Sequence, residues 1–179
     1  PMRESGLWRD VLEMPEALAR TLDAADGVAA AAALLRDPSV RRVVATGNGA
    51  AYYVGFALAL AALGSPSGPE LVALPAGVVA DPRFAWREGD RLLAISSSGE
   101  FKDVVQAIEQ GAPRPVVAIT AHADSTLGRL ADAVALQTVL HQRAITHTQA
   151  LAGALALGLR IWGAVCGDGQ GAFRERRLG

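Results

Sequence analysis

Residues 91–105 read RLLAISSSGEFKDVV, an apolar run of strand length, then three serines and a glycine, then a segment with helical spacing. Arg91–Ile95 is expected to be a strand, Ser96-Ser97-Ser98-Gly99 a tight polar turn, and Lys102–Gln110 a helix. A strand that passes straight into a helix is the repeating unit of a parallel sheet, because parallel neighbours need a crossover connection. The unit recurs on both sides of this stretch. Upstream, Arg42–Thr46 (RVVAT) ends in Gly47-Asn48-Gly49 and leads into an apolar helix over Ala50–Leu63, followed by a strand at Leu71–Leu74. Downstream lie a strand at Pro115–Thr120 (PVVAIT), a short helix near Ser125–Leu130, a strand at Ala133–Leu136 and a closing helix from about His147 to Trp162. Each strand run is apolar on both faces, so the sheet must be covered on both sides. The expected architecture is a three-layer α/β/α sandwich.

Ahead of the sheet, Trp8–Ala24 carries Leu12, Leu18 and Leu22, and Pro15-Glu16 reads as the first turn of a helix after a break. Ala25–Arg36 reads as a second helix, stopped by Asp37-Pro38. The chain therefore divides into a helical leader packing on the domain (residues 1–40), a sheet domain (41–166), and a glycine- and arginine-containing polar tail (167–179).

Composition narrows the function classes. With 179 residues and 51% hydrophobic content the chain has ample material for one core, and disorder over most of its length is excluded. A net charge of −1 gives no global pull toward nucleic acid or an anionic membrane. The most apolar stretch, Ala150–Cys166, is interrupted by Arg160 and glycines, which favours a buried helix over a membrane span. The first ten residues carry charges of both signs, so no secretory signal is expected in them. A single cysteine, Cys166, forms neither an internal disulfide nor a zinc cage, which suits the reducing cytoplasm.

In an open parallel sheet, ligands collect at the carboxyl ends of strands where the strand order reverses. Gly47-Asn48-Gly49 and Ser96-Ser97-Ser98-Gly99-Glu100 both sit at such ends, each just before a helix. A helix start offers unpaired N–H groups, glycine lets the backbone approach, and hydroxyls add short donors, a combination suited to phosphate. The structural alternative is that Ser98 caps the helix and the glycines only turn the chain, but a cap needs one hydroxyl, not three. Other nucleotide motifs fail. Gly47-Asn48-Gly49-Ala50-Ala51-Tyr52 lacks the third glycine of a dinucleotide fingerprint, the sole lysine, Lys102, follows the serine loop, and Ser98 lacks the flanking glycines of a nucleophile elbow. No cofactor is called for, and the spacing of histidines and carboxylates gives no metal site.

Leu92–Val105 (LLAISSSGEFKDVV) resembles the SxSGE-x-x-D signature of the SIS (sugar isomerase) family of phosphosugar-binding domains. Pro15–Leu18 is similar to the leader helix of the isomerase half of glucosamine-6-phosphate synthase. Val116–Asp132 (VVAITAHADSTLGRLAD) resembles that family's fourth strand and following turn, and Ile145–Leu155 (ITHTQALAGAL) its VAsTKaftaqL segment, with Thr148 at the threonine. The resemblance implies a five-stranded, flavodoxin-like parallel sheet of order 2-1-3-4-5. It implies a sugar phosphate held by Gly47, Asn48, Gly49, Ser96, Ser97, Ser98, Gly99 and Thr148, with His122 bordering it. Its implied partner is a second copy or a second SIS half, with the helices Ala50–Leu63 and Ala150–Trp162 as docking surfaces.

The departures from the family pattern concern mechanism. Gly49-Ala50-Ala51 stands where a serine or threonine is usual, Ser97 where glutamine is usual, Phe101 replaces a threonine, and Gln149 replaces the lysine of "TK". The family's proton-shuttling glutamate aligns with Gln142, and an amide does not titrate in the range that aldose-ketose isomerisation needs. His141 and His147 have a suitable pKa, though a histidine beside a helix start is more often a cap or surface group. Glu100 fits a loop-stabilising or capping role better than that of a base, and Asp103 and Asp132 read as structural. Trp8, Trp86 and Trp162 are too dispersed for a stacking platform, and Cys166 reads as inert. A phosphosugar-binding or regulatory module is thus expected, with an active isomerase or deaminating isomerase as the alternative.

Overall fold

The structure is a computed structural model, and it describes residues 5–24, 27–65 and 67–167. The expected tail lies outside the described residues from position 168 onward. The chain runs α1 (Gly6–Asp23), α2 (Val28–Leu35), β1 (Arg42–Gly47), α3 (Ala50–Ala62), β2 (Glu70–Pro75), α4 (Ala76–Val79), β3 (Asp90–Ile95), α5 (Lys102–Glu109), β4 (Val116–Thr120), α6 (Thr126–Leu130), β5 (Ala133–Leu136) and α7 (Thr148–Cys166). All five strands are parallel, in the order β2-β1-β3-β4-β5.

Strand residues alternate between two cores. Val43, Ala45, Leu93, Ile95, Val117 and Ile119 face one layer, where Leu35, Val54, Leu58, Leu157 and Ile161 pack. Val44, Leu92, Ala94, Val116 and Ala118 face the other, with Val79, Val104, Ile108 and Leu127. This two-sided burial is what the unbroken apolar strand runs required. At the amino-terminal edge, Asp90 accepts two hydrogen bonds from the Arg42 guanidinium (2.9 and 2.6 Å) and one from the Arg87 amide (2.8 Å), fixing β1 beside β3. Asp132 similarly accepts from the Val116 amide at 2.6 Å and from Arg114 at 2.9 Å.

Four local expectations are corrected. Pro15 does not break the leader, because α1 runs through it on its exposed side, where solvent can satisfy the Val11 carbonyl that loses its helical donor. The second helix starts at Val28, after Gly27 in a left-handed conformation (φ 84°). The one-turn helix α4 is an addition. The last helix extends to Cys166, where Gly167 (φ 78°) terminates it. That helix is long and apolar enough in composition to cross a membrane, yet Gly153, Ala154, Leu157, Ile161 and Trp162 are buried against its neighbours, the pattern of a core helix. It packs against α1, α2 and α3. Little of α7 is therefore left for docking, contrary to the sequence expectation.

Candidate functional site

The strand order reverses between β1 and β3, and both polar turns leave the sheet there. Gly47 ends β1 where an added Cβ would sit 2.7 Å from Ala51 Cβ and 2.8 Å from the Ile95 carbonyl, so only glycine lets the first turn of α3 close over the neighbouring strand. Gly49 (φ 54°) then caps α3. The Asn48 amide donates to Asp103 on α5 at 3.4 Å, which ties the first loop to the helix that follows the second.

The serine loop is a self-bonded turn. Ser96 Oγ accepts from the Gly99 amide (3.1 Å) and Ser98 Oγ from the Glu100 amide (3.2 Å), while Gly99 itself is left-handed (φ 69°). The Ser97 carbonyl accepts from the Ala121 amide (2.9 Å) and the Thr120 hydroxyl (3.1 Å), anchoring the loop to β4. Among the described residues, the amides of Ser97 and Ser98 have no protein acceptor. Ser98 does not cap α5, whose N-cap is Phe101 without a side-chain bond. Glu100 turns to α6, accepting from the amide and hydroxyl of Thr126, both at 2.7 Å. Those two bonds hold its carboxyl below the usual range.

A third loop, residues 137–147, closes the site, and it is pinned from α1. Asp10, 1% exposed, accepts from the amides of Arg143 (2.8 Å) and Ala144 (2.9 Å) and from the Arg143 guanidinium (3.0 Å). Burial works to raise its pKa, but these donors outweigh it and the carboxyl lies below its ordinary value. Glu13 binds Arg143 through both oxygens (2.9 Å each) and also meets His141 Nδ1 at 2.9 Å, which lowers its pKa to about 2. Gln149, expected at a ligand-contacting lysine position, is 3% exposed and instead accepts from the amides of Leu140 (2.9 Å) and His141 (3.4 Å) and donates to the Asp10 carbonyl (3.1 Å). No local motif marks Asp10, Glu13 and Arg143, because they meet across more than 120 residues of sequence.

Two adjoining hollows lie between these loops. The smaller, about 260 Å³, is lined by Asn48, Gly49, Ser96, Ser97, Ser98 and His147, with an apolar back formed largely by α3 and α7. The larger, about 550 Å³, has Ser97, Ser98, His122, His141, Gln142 and His147 on its wall. Ser97, Ser98, Gln137 and His147 border both. Four expected ligand or catalytic residues stand apart from both hollows. Gly47 and Gly99 are packed into strand and helix ends, Glu100 is committed to α6, and the Thr148 hydroxyl is buried at the start of α7 without a partner. Among the described residues, no carboxylate, lysine or arginine lines either hollow, and no group of three metal-ligating side chains occurs. Gln142 Nε2 lies 2.9 Å from His147 Nε2. In this placement the amide donates, so that imidazole nitrogen is the acceptor.

No protein-family model and no curated protein matches the sequence. Solved structures do. A protein from Silicibacter pomeroyi with a provisional phosphosugar-isomerase assignment superposes with a TM-score of 0.74 at 28% identity, over 90% of this chain and 50% of that one. The C-terminal domain of glucosamine-fructose-6-phosphate aminotransferase from Francisella tularensis gives 0.77 at 18% identity, over 92% and 49%. This chain has the fold of a sugar isomerase (SIS) domain. A further SIS domain, from the RpiR transcription factor of Sphaerobacter thermophilus, matches over 91% of this chain and 90% of its own, with a TM-score of 0.69 and 18% identity. The present chain thus spans about half the length of the first two structures and nearly all of the third.

Proposed function

We propose that this SIS domain binds a sugar phosphate where the two hollows meet and reports its presence without isomerising it. The observation that carries this reading is the serine loop: among the described residues, the Ser97 and Ser98 amides lack a protein acceptor, and both residues line hollows that no carboxylate lines. Such donors suit a phosphate held by hydrogen bonds alone. Proton transfer between C1 and C2 needs a titrating base within hydrogen-bond reach, and Gln142 is none. The RpiR relative is an instance of this fold in a transcription factor. The test is a thermal shift against hexose 6-phosphates. Ligand at about 100 times Kd should stabilise by about 2.7 kcal/mol, and Ser98→Ala should abolish most of that gain. Equal shifts in both proteins would remove the serine loop from the site.

The alternative, an active isomerase or deaminating isomerase, has one observation in its favour: His147 reaches both hollows. Incubation of a bound hexose 6-phosphate in heavy water separates the two readings. Clear binding without deuterium uptake at C2 supports the sensor, and steady uptake abolished by His147→Ala establishes the enzyme. Self-association in a reducing, cytoplasmic setting completes the reading. The surface for it is on α3, where Tyr53, Phe56 and Leu60, with Leu63 at the C-cap, are all exposed and recur at helical spacing on one face.

A further inference from the structure

Gln137, the first residue after β5, is the least expected polar group in the site. It is 4% exposed and borders both hollows, yet its side-chain Oε1 is buried with no hydrogen-bond partner. Leaving a buried amide oxygen unpaired is unfavourable, and an apolar side chain of the same length would avoid that cost. The backbone holds the residue in place, because its amide donates to the Thr120 carbonyl at 2.9 Å and the next amide, of Thr138, donates to the Thr21 hydroxyl at 2.9 Å. The facing helix also makes room for it. Gly153 lies in the second turn of α7, where glycine is a poorer helix former than alanine, and an added Cβ would come within 3.2 Å of Gln137 Oε1, 3.3 Å of its Cβ and 3.5 Å of Thr21 Oγ1. The fold thus keeps an unpaired amide at the junction of the hollows, opposite a glycine that leaves space for it and for Thr21.

We infer that Gln137 is the residue by which the site selects its sugar, its amide pairing with a hydroxyl or acylamino group on the ring. This rests on the phosphosugar reading above. An amide has both donor and acceptor capacity, and its terminal torsion turns readily, so one small movement presents either atom to a ligand. The serine loop addresses the phosphate and carries no information about the ring. Gln137 supplies that information, and a ligand with hydrogen in place of the polar group leaves the amide unpaired. The class selected is therefore hydroxylated or N-acylated hexose phosphates, against their deoxy counterparts.

Calorimetry with glucose 6-phosphate, N-acetylglucosamine 6-phosphate, 2-deoxyglucose 6-phosphate, 1,5-anhydroglucitol 6-phosphate and inorganic phosphate tests the inference on the full chain. The unaltered protein should prefer at least one polar ligand tenfold or more over a deoxy analogue. Gln137→Met should erase that preference, leave inorganic phosphate binding unchanged, and melt no lower than the parent. Gly153→Ala, which crowds the amide from the far side without touching ligand, should weaken the preference in the same direction. If no phosphate compound binds the unaltered protein, the phosphosugar reading itself fails. If sugar phosphates bind and Gln137→Met keeps the preference, or melts well below the parent, Gln137 is structural and the inference is overturned while that reading stands.

Discussion

Gly99 shows how little freedom single residues have around the serine loop. It sits at φ 69°, and an added Cβ would land on the hydroxyl of Ser125 and within 3.1 Å of Thr120 Oγ1. Gly99→Ala combines left-handed strain with overpacking, and a loss on the order of 2 to 4 kcal/mol is expected, measurable by urea denaturation. Gln149 makes the converse point. Restoring the family's lysine should harm this protein, because Gln149→Lys removes the acceptor of the Leu140 and His141 amides and brings a charge into a buried position. A loss of about 2 to 4 kcal/mol is expected, with no gain in ligand affinity by calorimetry. Glu13 sets an acid limit on the same loop. Its pKa is about 2 when folded against an ordinary 4.5, so its contribution is complete above 4.5 and disappears as pH falls toward 2. An acid titration of stability should be flatter over that window in Glu13→Gln.

At the scale of elements, the strands were legible because their residues are apolar on both faces, a pattern that admits few other folds. Both polar turns were legible for a related reason: glycines and serines at a strand-to-helix junction leave room for a close backbone approach and supply donors to whatever approaches. Asn48, Ser96, Ser97 and Ser98 line the smaller hollow, and His122, His141 and His147 the larger. The third wall was not legible, since Arg143 meets Asp10 and Glu13 of α1 across 130 residues or more, and nothing near it in sequence points to them. Pro15 misled for a physical reason, because a proline break is enforced only where the lost hydrogen bond cannot be replaced. Helix contact also hides in glycines. At Gly158 an added Cβ would lie 2.6 Å from Leu58 Cδ1, and Leu58 is fully buried on α3. Gly158→Ala gains helix propensity of about 1 kcal/mol but forces the two helices apart, and a net loss of about 1 to 2 kcal/mol is expected by thermal denaturation.

For the molecule as a whole, α3 and α7 share one helical layer, in which α7 is covered and α3 turns an apolar stripe outward. Phe56 and Leu60 on α3 are 45% and 54% exposed, while α7, the other candidate surface, is covered. If two copies meet, they meet through α3, and Leu60→Glu should shift sedimentation toward the monomer without lowering sugar-phosphate affinity. The leader has a different meaning. Asp10 and Glu13 fasten the loop that walls the larger hollow, Thr21 carries the residue after Gln137, and Ala24 lines that hollow itself. A version trimmed to start at the first strand would keep every crossover yet lose the supports of the loop that walls the larger hollow. The boundary expected near residue 40 is therefore no seam along which this chain divides without opening the larger hollow.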